Sequence, residues 1–189
     1  MIASVVEIPH YRFNTTNYRR MWETGIFKEG DRVQLIAGEI VQMAAMGTKH
    51  QACVARLTRF FVERLGDRAV VWPQNSLEIS ENSLPEPDLA LLKPRADFYE
   101  TLQPRSQDAL LVIEVSDSTV RFDREVKTQI YARGGVLEMW LIDINRQGVE
   151  VYRDPSENGY QTELTFVLDA EISPLGFSDC AIAVSQVFA

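Results

Sequence analysis

The stretch LLVIEVSDSTVRFDREVKTQIY, residues 110–131, decides the reading of the fold. From Ala109 to Val115 the chain is almost unbroken apolar and rich in branched residues. Such a run fits a central strand covered on both faces, because alternation vanishes when neither face meets water. Glu114 interrupts it. An ionised carboxylate there is costly to desolvate unless it is paired, hydrogen-bonded or bound to a metal. Ser116, Asp117, Ser118 and Thr119 follow, small polar residues able to end a strand and cap a helix. The pattern then predicts a helix from Phe122 to Arg133, with Val126 and Ile130 on its core face. Asp123, Lys127 and Tyr131 recur every fourth residue and share one stripe of that helix. Two readings stand side by side at this point: a reactive site, or a structural partnership of Glu114 with Lys127 or a backbone amide.

Upstream, the prolines of Pro85-Glu86-Pro87-Asp88 keep the backbone extended and outside a sheet interior. The next strand therefore begins near Asp88 and carries that carboxylate at its end. Gly47 and Thr48 open a helix predicted to run to about Leu65 and to close at Gly66, with Cys53, Val54, Leu57, Phe60, Phe61 and Leu65 in its apolar stripe. His50 lies one turn before Cys53 and Val54, at the mouth of this helix. A hydrogen-bonded structural histidine is the commoner outcome at such a position, and contact with a ligand the rarer one. Arg32–Ile36 and Glu39–Met43 form a predicted β-hairpin around Ala37-Gly38. Before it, Asn14 or Thr15 caps a short helix ended by Gly25. Val70–Trp72 and Leu77–Ile79 read as strands about a Pro73-Gln74-Asn75 bend, and Asp97–Thr101 as a helical turn.

Downstream, Gly134-Gly135 stops the key helix. Leu137–Asp143, Gly148–Arg153 and Tyr160–Val167 read as strands, and the tail with Pro174 and Gly176 is weakly patterned. The order implies a mixed α/β (α+β) domain in which helices flank one central sheet. With 189 residues the chain fits one domain, residues 1–189, whose residues 1–13 form an edge strand or an N-terminal arm.

Composition narrows the function classes. No apolar run approaches the ~20 residues of a membrane span, so no membrane partner is expected. The opening MIASVVEIPHYRF has no basic start, which argues against a secretory leader. Cys53 and Cys180 are far apart and read as reduced core thiols, and a cytoplasmic location follows as the default. The net charge of −8 argues against casual nucleic-acid binding, yet residues 49–69 carry net +3 and residues 119–136 net +2. If those two helices flank one cleft, a basic surface coexists with an acidic whole; ordinary solvated helix faces explain the pattern as well.

Two carboxylates on neighbouring strand ends, Asp88 and Glu114, with Lys127 close by, suit one chemistry. Mg²⁺ or Mn²⁺ binds through a few carboxylate oxygens and keeps several waters. Such a metal polarises a phosphoryl oxygen and lowers the pKa of a bound water, while a lysine adds a point charge near the phosphate.

Pro87-Asp88 followed by Glu114-Val115-Ser116 resembles the PD-(D/E)XK nuclease superfamily. PEPDLALL, the key stretch continued through ARGGVLEMWLID, the hairpin RVQLIAGEIVQM and the helix start GTKHQ are together similar to the Uma-two-type restriction endonuclease family. The likeness covers roughly residues 15–155. It implies a restriction-endonuclease-like core, a divalent metal on Asp88 and Glu114, action on DNA and a homodimer. One position departs from the superfamily pattern: Ser116 stands where the motif lysine would be. The family's own pattern implies that Lys127, about two turns into the next helix at ~1.5 Å per residue, supplies the ammonium instead. Asp123 then serves as a supporting residue or a third ligand, His50 as a supporting residue, and Tyr131 as packing. The leading reading is a metal-dependent DNA endonuclease. The alternatives are a catalytically silent nuclease-like module that binds nucleic acid or protein, and a metal-dependent hydrolase of small phosphate esters.

Overall fold

The computed structural model describes residues 9–189. Most of the N-terminal arm expected at residues 1–13 lies outside the described residues. The centre of the molecule is a six-stranded sheet. Its strands are β3 (Val70–Pro73), β4 (Leu89–Leu92), β5 (Ala109–Ser116), β6 (Glu138–Asp143), β7 (Gly148–Ser156) and β8 (Gly159–Phe166), adjacent in that order. Only β5 and β6 run parallel; the remaining neighbours are antiparallel. The sheet is therefore mixed, as expected. Helix α1 (Thr15–Glu23) precedes strands β1 (Val33–Ile36) and β2 (Glu39–Gln42), which form a separate hairpin.

The apolar run of β5 is buried because helices cover both faces of the sheet. Leu111, Ile113 and Val115 point to one side, where they join Trp140 and Ile142 against Cys53, Leu57 and Phe61 of helix α2 (Thr48–Leu65). Leu57 and Phe61 are fully buried. Truncating either to alanine costs about 2–5 kcal/mol by loss of transfer energy and creation of a cavity, so α2 is firmly seated. Val112, Met139 and Leu141 point to the other side and meet Tyr131.

Tyr131 belongs to helix α3, residues 120–133, which is not uniform. It is α-helical over Val120–Phe122, π-helical over Asp123–Lys127, and α-helical again over Thr128–Arg133. The expectation that Val126 and Ile130 form its core face holds only in part: Ile130 packs against the cluster around Tyr131, but neither residue is at the centre of the buried face. Both are only half-buried, and the buried face is Asp123, Lys127, Thr128, Tyr131 and Ala132. The polar stripe turns inward because it has charged and hydroxyl partners at the end of β5, and single π-turns of this kind recur at functional sites. Gly134 ends the helix where no side chain fits: a Cβ there would lie 2.3 Å from Ile79 Cγ2.

Two expectations fail for physical reasons, and one segment left without a reading joins the core. Leu77–Ile79 is not a strand, because Glu78 makes only an isolated bridge to Arg105 while Leu77 and Ile79 plug the core. Asp97–Thr101 is a turn with Phe98 and Tyr99 at positive φ, not a helical turn. The weakly patterned tail is part of the core. Glu171–Ile172 pairs with Ile182–Ala183, and Ile182, Val184 and Val187 pack into the cluster that α2 covers. Its apolar residues come in pieces too short to show a period.

Candidate active site

The C-terminal end of β5, the residue before β4 and the first turns of α2 and α3 converge on one cleft of about 520 Å³. Asp88 immediately precedes β4, as the prolines predicted. Its Oδ2 accepts a hydrogen bond from the Val115 amide at 2.8 Å, which ties it to the neighbouring strand. Its Oδ1 lies 3.0 Å from Nε2 of His50, on the first turn of α2. His50 is buried, and its Nδ1 has no hydrogen-bond partner among the described residues.

Glu114 is 2% exposed, and α3 supplies a donor to each of its oxygens. Lys127 Nζ donates to Oε2 at 2.8 Å, and the Tyr131 hydroxyl donates to Oε1 at 2.6 Å. Lys127 also reaches Asp123 Oδ1 at 3.4 Å. The other oxygen of Asp123 accepts from Ser116 Oγ at 2.5 Å and from Thr119 Oγ1 at 2.6 Å. Ser116, in the position of the superfamily lysine, thus holds an aspartate, and the ammonium arrives from the helix. The π-turn from Asp123 to Lys127 brings both termini of that turn, and Tyr131 one turn later, to the same buried face.

The electrostatics follow from one ammonium among several acids. Burial pushes the Glu114 carboxyl up to about 8 against the pull of Lys127, and Asp123 and Asp88 add to the rise. For Lys127, burial favours loss of the proton, but Glu114 and Asp123 outweigh it and keep the ammonium above its ordinary range. Both shifts mean that an acid-rich, desolvated site holds its protons tightly. Tyr131 is pushed far above a normal phenol, first by burial and then by Glu114, so it is a hydrogen-bond donor at any working pH.

All five expected residues, Asp88, Glu114, Lys127, Asp123 and His50, line this cleft. The ion-pair reading of Glu114 holds, with Lys127 as its partner at the wall of the cleft. Sequence reasoning missed Glu86, which also lines the cleft. Its carboxyl is raised by burial, only partly countered by Ser76, Arg32 and Lys127. The alternation of acids and prolines in PEPD was the signal that could have found it. Tyr131, expected as packing, touches Glu114 directly. Arg32 and Gln34 of the hairpin border the same space.

Among the described residues no three His, Cys, Asp or Glu side chains form a preassembled metal cage. Both oxygens of Glu114 already accept hydrogen bonds, yet each carboxylate oxygen has a second lone pair. Oxygen donors from two carboxylates in a water-accessible cleft fit an ion of the Mg²⁺ type, which keeps much of its water and rarely uses an all-protein cage.

No curated protein matches the chain. Among solved structures, the chain is similar to a crystal structure from Anabaena variabilis ATCC 29413 titled a putative nuclease belonging to DUF820. The two share 18% identity at a TM-score of 0.72, over 93% of this chain and 97% of the other, a likeness that establishes the fold. No helix among the described residues is long and apolar enough to cross a membrane. A family described as "putative restriction endonuclease", Uma2, matches residues 17–185, from the first helix through the paired tail, and the chain belongs to that family.

Proposed function

We propose that the cleft is the active site of a metal-dependent DNA endonuclease of the PD-(D/E)XK type. The observation that carries the reading is the 2.8 Å pairing of Lys127 with Glu114 beside Asp88, at the edge of an open cleft. Asp88 and Glu114 would hold Mg²⁺ or Mn²⁺, which supplies a polarised phosphoryl oxygen and a water of lowered pKa. The protein's own residues set the stage for hydrolysis. The Val115 amide and His50 fix Asp88, while Tyr131 and Lys127 fix Glu114. Lys127 remains protonated between Glu114 and Asp123, so its Nζ stabilises negative charge on the phosphoryl oxygens as water attacks phosphorus and the ester oxygen leaves. A homodimer, as the family resemblance implies, and a cytoplasmic location, as the reduced thiols suggest, are part of this proposal.

A second reading is favoured by a specific observation. Each Glu114 oxygen already has a donor and the carboxyl is raised, which also suits a catalytically silent nuclease-like module that binds nucleic acid or protein. Incubation with supercoiled plasmid in Mg²⁺ or Mn²⁺ separates the two. Under the enzyme reading the wild type nicks or linearises the plasmid, and both EDTA and Glu114→Gln abolish this while the fold survives. A folded wild type that leaves the plasmid supercoiled in either metal rules the enzyme reading out for DNA.

A further inference from the structure

Helix α2 carries four bases and the turn that follows it a fifth, Arg68, and the structure sorts them. Arg59 is paired with Glu63, Arg68 with Asp179, and Arg64 lies over the ring of Phe60. Lys49 and Arg56 have no carboxylate within ion-pair distance among the described residues, and both line a second depression of about 350 Å³. Thr48, Gln147 and Phe188 share that depression. It begins where the cleft ends: Gly47 and His50 line the cleft, and the residues between them, Thr48 and Lys49, line the depression. In a protein of net charge −8, two bases left unneutralised on one face of the helix that borders the cleft ask for an anionic occupant.

We infer that this depression is a phosphodiester-binding groove, in which Lys49 and Arg56 hold the backbone of a nucleic-acid strand leading into the cleft. The inference rests on the reading of the cleft as a nuclease site and adds the residues that seat the strand. Seven residues separate the two bases, about 10.5 Å along the helix at ~1.5 Å per residue. That matches the axial rise of roughly three successive phosphates on one duplex strand at ~3.4 Å each. The Thr48 hydroxyl and the Gln147 amide add neutral donors of the kind that position a backbone without reading bases.

Fluorescence anisotropy of a short fluorescein-labelled DNA duplex, in EDTA and across roughly 50–200 mM KCl, tests this without need of cleavage. The variants are Lys49→Gln/Arg56→Gln and, as a control of equal charge change on the same helix and the turn that follows it, Arg59→Gln/Arg68→Gln. The groove predicts that the first pair weakens binding about tenfold at low salt. It also makes the slope of log affinity against log salt shallower by roughly 2, while the control pair moves neither much. Unchanged affinity and slope in a folded Lys49→Gln/Arg56→Gln protein overturn the groove. If that variant still nicks plasmid, the endonuclease reading stands without it. Loss of slope in a protein that never cleaves supports the groove and removes the enzyme. A wild type that does not retain the duplex overturns the groove. So does a variant that loses only a poly-glutamate probe, which places an acidic protein segment there instead.

Discussion

The Tyr131 hydroxyl donates to Glu114 Oε1 at 2.6 Å, and both side chains are shut away from solvent. This contact fixes the oxygen of Glu114 that Lys127 does not hold. Tyr131→Phe deletes the donor and keeps the ring that packs in the core. A hydrogen bond to a charged or buried group contributes about 1.5–3 kcal/mol. The variant is expected to lose stability by that amount in urea denaturation, with an unchanged m value. It should also need more Mg²⁺ for half-maximal plasmid nicking, a shift that a purely packing role would not cause.

Lys127 and Glu114 form a buried pair, so removing one partner strands the other. Lys127→Met is expected to cost about 3–5 kcal/mol. Adding Glu114→Gln to it should recover part of that loss, because a neutral amide no longer needs the ammonium. A double-mutant cycle by denaturant unfolding measures the coupling. Additive effects would show that the two side chains do not interact in the folded protein.

Glu138 does the equivalent work far from the cleft. It is fully buried and accepts from Arg153 at 2.7 Å, from Trp140 Nε1 at 3.0 Å and from the Leu175 amide at 2.5 Å. These bonds fasten the tail to β6. Glu138→Gln is expected to destabilise the protein by about 3–5 kcal/mol and to open the segment near Leu175 to limited proteolysis. Mapped cleavage sites and a melting curve check both outcomes.

The pairing of Arg124 with Glu150, which pins α3 to β7, sets a pH dependence. Burial alone would raise the Glu150 carboxyl, but hydrogen bonds from Arg124 and Tyr152 overcome it and leave the group lowered. A carboxyl lowered in the folded state stabilises the protein fully above its ordinary pKa, and that contribution is lost as pH falls through the folded value. Wild type and Glu150→Gln should therefore differ in melting temperature at neutral pH, and the gap should close as pH falls below ~4. A gap independent of pH would assign the effect to packing.

The sheet and α2 were legible because burial on two faces and on one face leaves different periods: the unbroken run of β5 and the stripe from Cys53 to Leu65. The carboxylates of the cleft were legible too, Glu114 as the polar break in a buried strand and Asp88 through its prolines. The inward face of α3 was not. Sequence periodicity counts Val126 and Ile130 as core, and it cannot register that Ser116, Thr119 and Glu114 offer the polar stripe better partners. Nor does a period reveal the π-turn. The tail was illegible for a plainer reason, since two-residue strands carry no pattern.

The central claim is that Asp88 and Glu114 share one divalent cation, and direct Mn²⁺ binding tests it most closely. Titration of the folded protein, followed by electron paramagnetic resonance of the free ion, should reveal a saturable site in the wild type. Asp88→Asn and Glu114→Gln, each verified as folded by circular dichroism, should abolish it. Equal Mn²⁺ binding by wild type and both variants would contradict the account, because the cation would then sit elsewhere and the cleft would hold only its ion pair.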